Sequence, residues 1–245
     1  MSKFGLINEI NVNDPQSWQG KVFLTLDIDW AHDDVIENTI DLLENADAKA
    51  TWFVTHKTKV IDRLRENPNF ELGIHPNFNF LLELNDNNGH SGENVVDRVL
   101  ELVPEATSVR SHSLTQSSRL MDIFARKGMT HDVNSFIPFS SGITLKPWEI
   151  WNKMIKVPFL WEDDLVCHQG LINTPIKNTF RQESICVYDF HPIHIFLNTE
   201  SMERYELTRP LHRDPQALKA EVFPGDDGQI GVADHLTDLL GLMEQ

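Results

Sequence analysis

Apolar and polar positions along the first half of the chain switch between two periods. The run VFLTLD at Val22–Asp27 is apolar and partly β-branched, the pattern of a strand buried on both faces. Helical spacing follows at once, because Ile36, Ile40 and Leu43 recur at i, i+4 and i+7. Asp33 and Asp34 stand where a helix cap is expected, and Asn45 stands near its end. The unit then repeats: ATWFV at Ala50–Val54 reads as a strand, 59–66 as helical, and FELGI at Phe70–Ile74 as a third strand. Such alternation predicts a parallel sheet covered by helices.

A further helix is predicted over 93–103, where Val95, Val96, Val99, Leu102 and Val103 share one face, and SVR at 108–110 leads into another turn. Residues 120–127 also carry a helical pattern. Beyond residue 130 the pattern loosens, with strands expected at 129–133, 155–159 and 185–190 between loops containing Pro and Trp. An amphipathic helix is expected from 232 to 243, after the turn-rich FPGDDGQIG at 223–231, which reads as a mobile connection. No internal repeat interrupts this order, and 245 residues suit one domain spanning 1–245.

Charge narrows the partners. With 21 Lys and Arg against 37 Asp and Glu, the net charge is −16, which repels nucleic acid and anionic membranes and favours a neutral or locally neutralised substrate. The two cysteines, Cys167 and Cys186, lack the framework spacing of a stapled domain and read as buried thiols. The opening MSKFGLINEINVNDPQSW has no uninterrupted apolar core, and no stretch approaches the roughly 18 apolar residues of a membrane span, so a cytoplasmic location is expected.

Three segments carry candidate chemistry. In LTLDIDW, Asp27 and Asp29 lie two apart at a strand end and leave the same face. Like charges so close raise one pKa or recruit a cation, giving either a proton-transfer pair or a metal ligand beside a base; the plainer reading is two solvated capping acids. In ELGIHPNFN, Pro76 suits the first position of a helix, which would set His75 and Asn79 on one face, able to converge on one ion. A buried structural His75 is the alternative. In YDFHPIHIF, His191 ends an apolar run where barrel enzymes place catalytic groups, with His194 as a competitor for the same proton-transfer role. Arg110 in VRSHS is a carboxylate partner if buried, and Glu162, Asp163 and Asp164 form an acidic run; each alone reads more simply as surface charge.

Taken in order, TLDIDW, HPNFN, the Arg of VRSHS, WEDD and DFHP resemble the five motifs of the polysaccharide deacetylases, the NodB-homology carbohydrate esterases, over residues 22 to about 195. The Asp-x-Asp opening is similar to the branch associated with bacterial O-antigen and capsule loci. The resemblance implies a distorted seven-stranded (β/α) barrel and a divalent metal, zinc first, with cobalt, nickel or manganese as alternatives. It implies Asp27 as general base, Asp29, His75 and Asn79 as the metal set, Arg110 as the residue holding Asp27, and His191 as general acid. Trp161, Asp163 or Asp164, and His112 would border the substrate. The departure is Asn79, which stands where the family has a second histidine and offers only a neutral amide.

The expected reaction is attack of an acidified water on an N-acetyl carbonyl, with acetate and an amino sugar as products. The expected substrate is a nucleotide-linked or lipid-linked N-acetyl sugar. Two rivals remain: a barrel that binds sugar or metal without turnover, and a haloacid-dehalogenase-like phosphatase, which shares an opening Asp-x-Asp. Against the latter, Ala31 replaces the Thr or Val expected two residues after the second acid, and HPNFN is left without a task.

Overall fold

The computed structural model describes residues 3–82, 91–214, 217–218 and 229–243. Its elements run β1 (Val22–Asp27), α1 (Asp33–Asn45), β2 (Ala50–Val54), α2 (Ile61–Glu66), β3 (Phe70–Ile74), α3 (Asn79–Leu82), α4 (Gly92–Leu100), β4 (Ser108–Val109), α5 (Ser118–Arg126) and β5 (His131–Phe136). They continue as β6 (Trp148–Glu149), β7 (Ile155–Phe159), β8 (Trp161–Glu162), α6 (Asp163–His168), β9 (Cys186–Phe190), α7 (Pro192–Leu197), α8 (Met202–Thr208) and α9 (Val232–Met243).

Strand order across the sheet is β6-β7-β5-β4-β3-β2-β1-β9-β8, parallel throughout except for β6 against β7. Only Leu160 separates β7 from β8, and its N–H donates to the Val187 carbonyl at 3.1 Å. The stretch 155–162 therefore pairs with β5 through its first half and with β9 through its second. The ladder returns on itself as a ring of seven staves in chain order, the distorted barrel expected, with β6 as an added antiparallel edge.

β1 is buried along its whole length, as its unbroken apolar run requires. Helices cover the outside: α1 packs Val35, Ile36, Ile40 and Leu43 inward. The expected cap of α1 shifts by one residue. The His32 ring accepts the Asp34 N–H at 3.2 Å, while Asp33 and Asp34 occupy the first turn, where carboxylates complement the helix dipole. α4 stops at Leu100, short of 103, and β5 runs on to Phe136, because its Pro-flanked end keeps pairing with β7 beyond a bulge. Of the expected 223–231 connection, 223–228 lie outside the described residues.

The barrel's N-terminal end is closed by a short helical turn at Ile7–Glu9. Ile7 N–H donates to Thr51 Oγ1 (3.2 Å) and Asn8 N–H to Glu71 Oε2 (3.1 Å), both buried acceptors. The mouth is therefore at the carboxyl ends of the strands. Cys167 and Cys186 are buried free thiols, as expected. Among the described residues, no helix is long and apolar enough to cross a membrane.

Candidate active site

Asp27 is the last residue of β1, and the chain then turns sharply. Asp29 and Trp30 both adopt left-handed backbone (φ +28° and +56°), which non-glycine residues take only when their surroundings enforce it. The Ala31 N–H to Ile28 carbonyl bond (2.8 Å) and the Trp30 N–H to Thr55 Oγ1 bond (3.2 Å) hold the turn. The convergence of the two acids thus comes from this turn, beyond the reach of the strand pleat.

His75 follows β3, its N–H held by the Val54 carbonyl (2.8 Å). Its ring lies between the acids: Nε2 is 3.2 Å from Asp29 Oδ1, and Nδ1 is 3.4 Å from Asp27 Oδ2. The helix expected from Pro76 does not form there. Helical backbone starts at Asn79, so His75 and Asn79 do not share a helix face, and the Asn79 amide donates to Ser113 Oγ at 3.2 Å.

The third group at the acid is His112, which the sequence reading put beside the substrate. Its N–H donates to the Pro76 carbonyl (3.0 Å), and the left-handed Ser113 and Leu114 turn the chain back beyond it. Ser111 N–H is tied to Asn134 Oδ1 (2.7 Å), fixing the turn to β5. His112 Nδ1 lies 3.3 Å from Asp29 Oδ1 and 3.4 Å from His75 Nε2.

These three donor atoms thus stand 3.2, 3.3 and 3.4 Å apart. Ligands about 2.0–2.1 Å from a tetrahedral ion are separated by about 3.4 Å, so the set fits one small divalent cation with a fourth position open. Asp29 Oδ1 is also buried without a hydrogen-bond partner. Burial pushes the Asp29 carboxyl up, but the imidazoles of His112 and His75 set against it and the charge of His191 outweigh this, holding its pKa far below the usual carboxylate range.

A second cluster of donors, Asp27, Asp189 and His191, is buried. It already contains a cation. Arg110 is enclosed between the Phe53 and Phe159 rings, 4.7 and 4.6 Å from its guanidinium carbon. Its Nη1 donates to Asp27 Oδ1 (2.9 Å) and to Asp189 Oδ1, and Nη2 donates to Thr25 Oγ1 (2.9 Å). Burial alone would lower the Arg110 pKa, but the charges of Asp189 and Asp27 raise it, so the guanidinium stays charged. Asp189 went unassigned in the sequence, although its register beside Thr25 on β1 turns it into the barrel.

His191 caps β9. Its N–H donates to Asp163 Oδ2 (2.6 Å) and its Nδ1 contacts Asp163 Oδ1 (2.7 Å), leaving Nε2 3.6 Å from Asp29 Oδ2. Burial alone would lower the His191 pKa, yet Asp163, with Asp29 and Asp189, raises it well above the usual histidine value. His194 differs: burial lowers its pKa, and its Nδ1 is engaged by Thr199 Oγ1 at 3.0 Å. Trp161, expected to border the substrate, is buried in the core instead. It is 1% exposed and packs on Phe190 and His235, with ring centroids 4.7 and 5.7 Å away.

A cavity of about 410 Å³ opens over these groups. Its lining includes Asp29, His112, Asp164 and His191, Trp30 and Ala31 of the turn after β1, and Tyr205, Arg209, His212 and Arg213 from α8 and the turn after it. No motif announced these last four residues, because α8 and the turn after it lie beyond the last strand.

Comparisons with known proteins point to one family. The WbmS-like polysaccharide deacetylase family matches residues 24–209. A crystal structure from Bordetella bronchiseptica, described as a candidate polysaccharide deacetylase involved in O-antigen biosynthesis (WbmS), is 42% identical, covers 98% of each chain and superposes with a TM-score of 0.92. A Mycobacterium smegmatis structure, also described as a candidate polysaccharide deacetylase, is 14% identical over 96% of this chain and 93% of that one, with a TM-score of 0.48. No curated protein matches. With its motifs in order on the barrel's carboxyl edge and three quarters of its length matched, the chain belongs to the WbmS-like polysaccharide deacetylase family.

Proposed function

We propose that the chain is a metal-dependent N-deacetylase that removes acetyl from an N-acetylated sugar in the biosynthesis of a bacterial surface polysaccharide. The observation that carries this reading is the near-tetrahedral spacing of Asp29, His75 and His112 beside a histidine, His191, held by a buried carboxylate. The Bordetella relative supports the place in O-antigen synthesis.

Asp29, His75 and His112 would hold the ion, for which zinc suits a set of two imidazoles and one carboxylate best, with cobalt, nickel or manganese as further fits. Such an ion, when bound, polarises the acetyl carbonyl and makes water acidic at neutral pH. Asp27 takes the proton of the attacking water, its carboxylate fixed by Arg110. His191 gives a proton to the departing amine, and Asp163 holds the imidazolium in place and stabilises its charge. Asn79, whose amide donates to Ser113, is not needed to complete this set, and His112 removes the reason for expecting a barrel without turnover. The phosphatase alternative needs free acids in WEDD, whereas both Asp163 oxygens are committed to His191.

The test is to strip the protein with a chelator, reload it with Zn²⁺ or Co²⁺, and measure acetate from N-acetylated sugars against phosphate from a generic ester. Metal-dependent acetate release is expected. Phosphate release, or no acetate from a metal-loaded protein on any acetylated sugar, would overturn the proposal.

A further inference from the structure

Part of the cavity's lining has a charge opposite to that of the molecule. The protein carries a net charge of −16, yet Arg209, His212 and Arg213 all line this one cavity. They stand on a braced platform. Arg204 Nε donates to the Leu197 carbonyl (2.8 Å), tying α8 to α7. The Tyr205 ring lies 4.7 Å from that of His194 and 4.9 Å from that of His212, and His212 Nε2 is 3.1 Å from Thr208 Oγ1. Arg209 has an ion pair with Glu206 at 3.2 Å, but both side chains are mostly solvent-exposed, at 65% and 56%, so an incoming anion competes easily. Arg213 makes no ion pair among the described residues and is exposed.

Guanidiniums that line one cavity suit the oxygens of a phosphoryl group, to which Arg binds in bidentate fashion. The donor triad and His191 already have their function, and a cavity of about 410 Å³ has room for a sugar beside them. Resting on the deacetylase reading of the triad, we propose that Arg209 and Arg213 form a phosphoryl subsite. The substrate is then an acetamido sugar bearing a phosphate or diphosphate on its anomeric carbon, with the acetamide at the triad and the phosphoryl group at the arginines. A sugar carried on a nucleoside diphosphate and one carried on a lipid diphosphate share this chemistry.

The experiment compares, on the zinc-loaded enzyme, acetate release from a free N-acetylhexosamine, its 1-phosphate, a nucleoside-diphosphate-linked form and a polyprenyl-diphosphate-linked form. Binding of a nucleoside diphosphate alone is measured by calorimetry. The phosphorylated forms are expected to have the higher kcat/KM, and the better of the last two identifies the carrier. Arg209→Gln and Arg213→Gln should each raise KM for that substrate roughly ten- to hundredfold and draw its preference over the free sugar toward unity. Lys in place of either Arg should restore part of the loss, and thermal melts confirm that the variants fold. Equal kcat/KM for free and phosphorylated sugars, or unchanged KM in the double variant, would overturn the subsite while leaving the deacetylase standing. Arginine-dependent diphosphate binding without acetate from any sugar would do the reverse. No acetate and no diphosphate binding would remove both.

Discussion

At the scale of single residues, His112 closes a donor set that Asn79 was expected to complete. His112→Ala should lower zinc affinity by more than about a hundredfold, whereas Asn79→Ala should leave bound metal unchanged. Metal content after dialysis checks both, and the opposite ranking would return Asn79 to the site. Asp27→Asn should reduce acetate release by about a hundred- to ten-thousandfold with the metal retained, since it removes the base and none of the donors. Full activity in that variant would cancel its role. Asp27, Asp29, His75, Arg110 and His191 could be read from the chain because each stands at or just beyond a strand end, where local pattern and position coincide. His112 could not be assigned to the ion, because nothing in VRSHS announces the left-handed pair Ser113 and Leu114 that turns the chain back. Trp161 misled for a related reason: a large aromatic beside acids looks like a sugar platform until burial shows it packed against Phe190.

At the scale of elements, the barrel interior depends on one close approach. A Cβ on Gly73 of β3 would lie 2.6 Å from the Phe53 ring and 2.7 Å from Ser108 Oγ, and Phe53 is the ring that encloses Arg110. Gly73→Ala should therefore destabilise by about 1–3 kcal/mol and lower turnover by displacing the guanidinium from Asp27. Chemical denaturation and acetate release measure the two effects; a variant of unchanged stability would show that Phe53 has room to give. The strands β1, β2 and β3 were legible as apolar runs with clear flanks, and β7 and β9 only more loosely, between loops containing Pro and Trp. By contrast β4, β6 and β8 are two residues long, too short for any periodicity, and are defined by their neighbours in the ladder.

For the molecule as a whole, the buried histidines make stability depend on pH just below neutral. Burial lowers the pKa of His131, His194 and His235 beneath the usual 6.5. Below 6.5 the unfolded chain binds protons that the fold resists, so stability is lost as pH falls from there toward their folded values. His191, raised instead, contributes fully below 6.5 and loses its contribution only as pH rises through its folded pKa. Asp29 and Asp163, both lowered, lose theirs only below the usual carboxylate value of 3.8. Glu71, Glu162 and Asp189 are raised by burial and work the other way, gaining stability as pH falls through their folded pKa. The histidine part is therefore read by difference: between pH 6.5 and 5 the melting temperature of the wild type should fall relative to that of the His131→Gln His235→Gln variant, and a constant difference would overturn it. The ring itself has a weak joint. It closes on the Leu160–Val187 hydrogen bond and the two-residue β8, whereas β1 has longer ladders on both sides. Breathing should begin there, so the Leu160 amide should exchange with deuterated solvent well before that of Leu26. Asp163 is the residue straight after this joint, so each opening would part it from His191 and disarm the proton donor. The staves would thereby time the chemistry at their own rim.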